Sequence, residues 1–318
     1  MRRDPEFRRD RPMSTDPLSG ILGLLDVRGA AFVRLEAGGD WSLAFRPRPL
    51  VKFNAVLRGR CWLTLDGGAP VQLQAGDAFL LALPPGYTVA SDPELPPADG
   101  SALFAAAARG SVTCGGDEVV LIGGSFTIDR PDGELLHGIL PPFLKIDMAD
   151  PRAAGVRATL ARLEAELLAG DLGVDLVARR LAEVLLIDML RAHAGRATQE
   201  GGWLLAALAD PKIGAALAAM HADPGRDWTV AELARLAAMS RSGFARRFAE
   251  ATGTTPIDHL LHWRMRLARA ALRRGGTTIG ALAERLGYAS ESAFGTAFKR
   301  VHGRAPRGWA QENRATGG

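Results

Sequence analysis

The chain has 318 residues, enough for two domains and a helical connector, and its 47% hydrophobic and 23% charged residues exclude a disordered or fibrous polymer. No apolar run reaches the ~20 residues that span a bilayer. Two cysteines, Cys61 and Cys114, are too few for a disulfide framework and fit a reducing cytoplasm. The net charge of +4 is unevenly spread. From Asp210 to the end, 17 Lys and Arg face 9 Asp and Glu, a net of +8, so the remainder is acidic. A basic C-terminal part is what a phosphate-binding surface requires.

Residues 1–16 are charged, with no apolar segment behind them. They read as a disordered arm or an over-long start, with Met13 an alternative beginning, rather than a secretory signal. Residues 17–147 alternate short apolar runs (Phe53–Leu57, Cys61–Leu65, Ala78–Leu83) with turn clusters such as Asp66-Gly67-Gly68 and Ala75-Gly76-Asp77. Short strands at even spacing predict an all-β sandwich or barrel. In Cys61-Trp62-Leu63-Thr64-Leu65 the odd positions are apolar, the period of a half-buried strand.

Residues 148–205 change texture. Pro151 suits a first helical turn, Leu160, Leu163 and Leu167 keep helical spacing, and Gly170 with Gly173 divides the segment into two helices. The second, with Leu176, Leu181, Val184, Leu185, Leu186 and Leu190, is too apolar for a solvated surface. It covers its own domain or a second copy of itself. From Trp203 to Trp309 the pattern predicts five or six helices.

Two stretches in that region repeat one design. Thr229, Leu233, Ala234, Ser240, Phe244 and Phe248 have counterparts in Thr278, Leu282, Ala283, Ser290, Phe294 and Phe298. The threonines and serines cap helix starts, and the leucines and paired phenylalanines face inward. A short turn joins the helices: Ala238-Met239 in one copy, Gly287-Tyr288-Ala289 in the other. The second helix of each pair keeps a polar face for a major groove, so each copy is a helix-turn-helix. The faces offer Arg241, Ser242 and Arg246 in one copy, and Glu291, Ser292, Thr296 and Lys299 in the other.

The segment from Gly287 to Trp309, with the first unit and Trp263-Arg264-Met265-Arg266-Leu267-Ala268, resembles the signature of the AraC/XylS transcription regulators over residues 206–311. The resemblance implies that a long helix, about Ile257–Arg273, joins the units so that both second helices enter successive major grooves ~34 Å apart. It places Ser242, Ala245 and Arg246 at base-reading positions, with Arg246 suited to a guanine edge. Glu291, Ser292 and Thr296 match in the second helix. Relatives often carry Arg where this chain has Thr296, so its short side chain weakens that readout. Lys299, Arg300 and Arg304 suit phosphates.

Residues 17–195, through Leu57–Gly68, Ala75–Leu81 and Leu135–Pro142, resemble the cupin-type sensor domain of such regulators. That implies a small β-barrel with connector helices that holds an effector and helps dimerise. The fold class is therefore α+β in two domains, the second all-α, with a short tail over 312–318. The implied partners are double-stranded DNA, a small-molecule effector, a second copy and, for an activator, RNA polymerase. A metal-dependent cupin enzyme fused to a DNA-binding domain is the second reading. It lacks support because no histidine precedes residue 125 and Asn54 stands where relatives often carry His. No cofactor or catalytic residue is expected. Cys61 reads as a core residue or, if Arg58 and Arg60 lie close, as an activated redox thiol; Cys114, beside two glycines, is the other redox candidate.

Overall fold

The computed structural model describes residues 16–25, 28–107, 111–127, 133–194 and 202–315; the expectation for residues 1–15 lies outside them. They form two compact units, Leu25–Ala206 and the described residues up to Leu24 together with Ala207 onward. Helix α1 (Pro17–Leu25) thus groups with the C-terminal helices, whereas the sequence reading opened the sensor domain at residue 17. Ile21 and Leu24 are buried, and Gly20 lies against the Trp263 indole. Two buried aliphatic side chains place the helix where they are covered.

The middle unit contains β1 (Arg28–Ala37), β2 (Ser42–Phe45), β3 (Leu50–Arg58), β4 (Arg60–Leu65), β5 (Val71–Gln74), β6 (Ala78–Ala82), β7 (Tyr87–Ala90), β8 (Ala98–Asp99), α2 (Gly100–Ala106), β9 (Ser111–Cys114), β10 (Val119–Thr127), α3 (Gly133–Ile139) and β11 (Phe143–Ile146). One sheet runs β11-β6-β3-β10-β1-β9 and the other β5-β4-β7-β2-β8. Their shared core takes Leu35, Val56, Phe79, Leu81 and Leu121 from the first and Leu43, Cys61, Leu63, Leu73 and Val89 from the second. The expected barrel takes the form of two facing sheets; no strand pair joins the ladders among the described residues. The chain changes sheet at Gly59, between β3 and β4. Its φ is +77° and a Cβ there would strike the Glu118 carbonyl, so glycine is required.

Every residue of β6 is buried, which explains its unbroken apolar run. Helices α4 (Ala154–Ala169) and α5 (Val174–Ala194) pack on each other, and α5 also contacts β1 and β11. The pair crosses closely at Gly155, where a Cβ would stand 3.1 Å from the Asp188 carboxylate. That carboxylate accepts a 2.8 Å hydrogen bond from the Thr159 hydroxyl. The ambiguity over α5 resolves by position. On α5, Leu185, Leu186, Met189 and Leu190 are buried, whereas Leu176 and Val184 stay exposed, as do Leu168 of α4 and Leu172 in the turn between the helices.

Among the described residues eight helices follow, against the five or six expected: α6 (Trp203–Ala209), α7 (Pro211–Ala222), α8 (Val230–Leu236), α9 (Arg241–Thr252), α10 (Pro256–Arg274), α11 (Ile279–Arg285), α12 (Glu291–His302) and α13 (Pro306–Ala315). Pro211 starts a new helix within a stretch that reads as continuous, whereas Pro256 and Pro306 start helices at breaks the sequence already marks. α13 carries the helix past the expected domain end at residue 311.

Candidate nucleic-acid interface

The first unit is α8 and α9. Thr229 and Glu232 form a reciprocal cap: the Thr229 hydroxyl accepts from the Glu232 N–H at 3.2 Å, and the Glu232 carboxylate accepts from the Thr229 N–H at 2.9 Å. The Thr229 N–H and hydroxyl, with Arg226 behind them, hold the Glu232 carboxyl down to about 2. The turn passes through Ala238 at φ +50°, then Ser240 caps α9 by accepting from the Gly243 N–H at 3.2 Å. Phe244 and Phe248 are fully buried, which fixes the roll of α9. Truncating a phenylalanine of this kind costs about 3–5 kcal/mol. Arg241, Ser242 and Arg246 therefore lie on the exposed face, with Ala245 half-buried between them.

The second unit, α11 and α12, copies this frame. Thr278 and Ser290 cap its helices by accepting from Ala281 and Ala293, and Phe294 and Phe298 are fully buried. Gly287 occupies the place of Ala238 and has φ +77°. Both units share α10, which sends Trp263 towards His221 of α7 and Met265 into the second core.

A joint between the units is built around Arg264. Its Nε donates to the Pro224 carbonyl at 2.6 Å and its Nη2 to the Arg226 carbonyl at 2.9 Å, while its guanidinium lies 5.7 Å from the Tyr288 ring. Gly225 and Gly287 meet there backbone to backbone, and a Cβ on Gly287 would collide with the Gly225 carbonyl. The loop before the first unit is thereby clamped to the turn of the second.

The candidate side chains are not equally available. Arg246 is exposed and its nearest acid is Glu250, 3.9 Å away on the same helix face. An exposed pair of this type is worth about 0.3–0.5 kcal/mol, against about 1–3 kcal/mol for a bidentate guanine contact, so it yields readily. In the second helix, Glu291 is paired with Arg307 at 2.8 Å, and the Thr296 hydroxyl donates to the Ser292 carbonyl at 3.0 Å. The Ser290 hydroxyl is occupied as a cap. Lys299 and Arg300 are exposed towards the end of α12.

Residues 16–195 match the cupin family and residues 233–312 match the helix-turn-helix domain family. An AraC-like transcription regulator of Streptomyces lividans is 44% identical over 294 residues, covering 92% of this chain and 96% of the relative. This chain belongs to the AraC-like transcription regulators. It is also 28% identical to the HTH-type transcriptional regulator AlkR of Acinetobacter baylyi, over 94% of this chain and all of that protein. The solved DNA-binding domain of AdpA, in complex with a target DNA, is 30% identical, covers 34% of this chain and 96% of its own, and has a TM-score of 0.32. The protein is an AraC-type DNA-binding transcription regulator with a cupin-type N-terminal domain.

Within this AraC-type domain, sequence reading missed the clamp at Arg264 and the 2.6 Å pair between Arg247 and Asp210. The Thr229-x-x-Glu232 spacing did carry the capping-box signal. His221 and His259 were also unassigned. They are buried, with Nε2 atoms 3.1 Å apart and His221 stacked 3.8 Å from Trp263. Burial lowers both imidazoles, His259 to about 3, helped by Arg266.

The redox expectation for Cys61 is corrected. Its side chain lies in the core between the sheets, and burial, with Asp77 nearby, pushes the thiol up to about 12. Strand alternation turns the exposed Arg60 away from it, and Arg58 pairs instead with Asp117 at 2.7 Å. Cys114 is half-buried against the same core, and burial raises its thiol as well. Neither thiol has the electropositive, activated setting that a sensing cysteine needs. Among the described residues no single helix is long and apolar enough to cross a membrane.

Proposed function

We propose that the protein is a non-enzymatic, effector-controlled regulator acting at specific DNA sites in the cytoplasm, without a cofactor. Arg241, Ser242, Ala245 and Arg246 read base edges. Ser290, Glu291, Ser292 and Thr296 face the second groove, where Lys299 and Arg300 meet phosphates. The observation that carries this reading is the pair of capped helices with exposed polar faces, clamped to each other through Arg264. It acts as a homodimer through the apolar strip Leu168, Leu172, Leu176 and Val184, which its own domain leaves uncovered. Two copies on paired half-sites raise occupancy through effective concentration. RNA polymerase is the further partner where it activates.

Selection of bound duplexes from a random pool with the full chain tests the reading. A pair of short conserved blocks about one helical turn apart is expected, and recovery of no enriched sequence overturns it. Sedimentation at tens of micromolar tests the dimer: Leu176→Glu with Val184→Glu should yield monomers, and a wild-type monomer with or without DNA removes the dimer.

A further inference from the structure

One titratable group of the cupin-type domain is used by nothing described so far. In β3, Lys52 pairs in register with Leu81 of β6 and Ser125 of β10, and Asn54 with Phe79 and Gly123. Leu81 and Phe79 belong to the core between the sheets, and paired residues on neighbouring strands share a face, so Lys52 and Asn54 both point inward. From the opposite sheet, the rings of Phe45 and Tyr87 are stacked at 4.8 Å. The Lys52 ammonium sits 4.7 Å and 5.4 Å from their centres. The wall is fitted tightly, since a Cβ on Gly100 would stand 2.7 Å from the Phe45 ring.

Among the described residues Lys52 has no carboxylate partner and no hydrogen bond. The Asn54 Nδ2 is buried without an acceptor. Burial, with Arg48 as a second cation nearby, draws the Lys52 ammonium down to about 8, so it is still protonated near neutrality. An ammonium and an amide N–H are thus set side by side on one inward face, both lacking the oxygen they would bond. Lys52 is half-buried, and an ammonium partly withdrawn from water without a counter-charge is less stable than a paired one. Cation–π contact offsets only part of that cost.

Resting on the sensor reading above, we propose that this inward face of the cupin-type domain is the effector site and that the effector is a small carboxylate with an apolar body. Lys52 pairs with the carboxylate, Asn54 donates to it, and Phe45 and Tyr87 flank the apolar body. Arg48, a second cation acting on Lys52, adds attraction for an anion. Binding would release the ammonium from the two rings and supply the counter-charge it lacks.

The test uses the full-length chain, its Lys52→Met and Lys52→Arg variants, and two probes of matched shape, hexanoate and its neutral analogue hexanamide. Thermal unfolding and DNA affinity are read for each. Without probe, Lys52→Met is expected to melt higher than wild type, because it removes a half-buried, unpaired charge and keeps the volume. A structural lysine would give the opposite, and a lower melting temperature overturns the proposal. Hexanoate at millimolar concentration should raise the wild-type melting temperature by a few degrees and change DNA affinity several-fold. The shift should vanish in Lys52→Met and persist in part in Lys52→Arg. If hexanamide acts as strongly as hexanoate, the anion class is wrong while the sensor reading stands. If hexanoate binds through Lys52 but DNA affinity does not move, the site stands and its role as the sensor falls. No stabilisation by either probe overturns the site.

Discussion

The two helix-turn-helix units use one frame and differ in what the frame displays. In both, a threonine and a serine cap the helices and two phenylalanines four apart set the roll of the second helix. On α9 that roll leaves Arg241, Ser242 and Arg246 exposed, with one loose pair at Glu250. On α12 the equivalent stretch is partly committed to the protein itself, through Glu291 with Arg307 and the Thr296 hydroxyl with Ser292, and its cations come later, at Lys299 and Arg300. A conserved backbone geometry therefore does not entail equal recognition. On the function proposed above, the first unit discriminates bases, and the second grips the backbone and fixes the register.

The largest test of this comparison lies in the turns. Gly287→Val puts a branched side chain at φ +77° and into the Gly225 carbonyl, and should cost about 3 kcal/mol or more in denaturant unfolding. Ala238→Gly, at the same turn of the first unit, meets no such joint. It should change stability by no more than about 1 kcal/mol, with relief of the positive φ offsetting the added chain entropy.

The first core should respond to acid more steeply than the second, where a single histidine, His302, is also lowered by burial. Above about 6.5, the ordinary histidine value, His221 and His259 are neutral in folded and unfolded chains alike. As pH falls below it the unfolded chain takes up protons that the buried pair refuses, so stability is lost progressively down towards about 3, where His259 protonates in place. Each histidine contributes at most about 1.4 kcal/mol per pH unit. Unfolding at pH 7, 6 and 5 should show a slope that His259→Gln reduces; an unchanged slope would mean that other groups set it.

On DNA, Arg246→Ala should cost about 1–3 kcal/mol on the best site and relax one base pair, whereas Thr296→Ala should cost less than about 0.5 kcal/mol. Equal losses on specific and random DNA would reassign Arg246 to a phosphate. The smallest effect belongs to Lys299→Ala, which should weaken all sequences alike and lower the salt slope by about 1. A sequence-dependent loss there would make the second unit a reader after all.

What was legible in the sequence follows from the range of the forces involved. Caps, inward leucines and phenylalanine pairs are local, so both units could be placed from spacing alone, as could the strand at Cys61–Leu65. The clamp at Arg264 could not, because its partners Pro224 and Arg226 lie some forty positions away and are backbone carbonyls, whose residue types carry no signal. The same holds for Lys52, which sits in an ordinary alternating strand. Only the register to Leu81 and Ser125 shows that it points inward. For Cys61 the core alternative is the one that holds, because proximity in sequence to Arg58 and Arg60 means opposite sides of a sheet or distant partners in space. α5 was read correctly as over-apolar, but pattern alone could not divide it between its own core and an open strip.

The grouping of α1 with the C-terminal helices has a consequence for how the chain is made. Helix α1 leaves the ribosome with Ile21 and Leu24 needing cover, and its Gly20 comes to lie against the indole of Trp263, about 240 residues later in the chain. At ~5–20 residues per second, that is a wait on the order of ten to fifty seconds, during which the whole middle unit is synthesised. The DNA-binding unit is thus closed last, by a segment that appeared first. Until then a growing chain carries an uncovered apolar helix that a chaperone, or a neighbouring nascent chain, can take up.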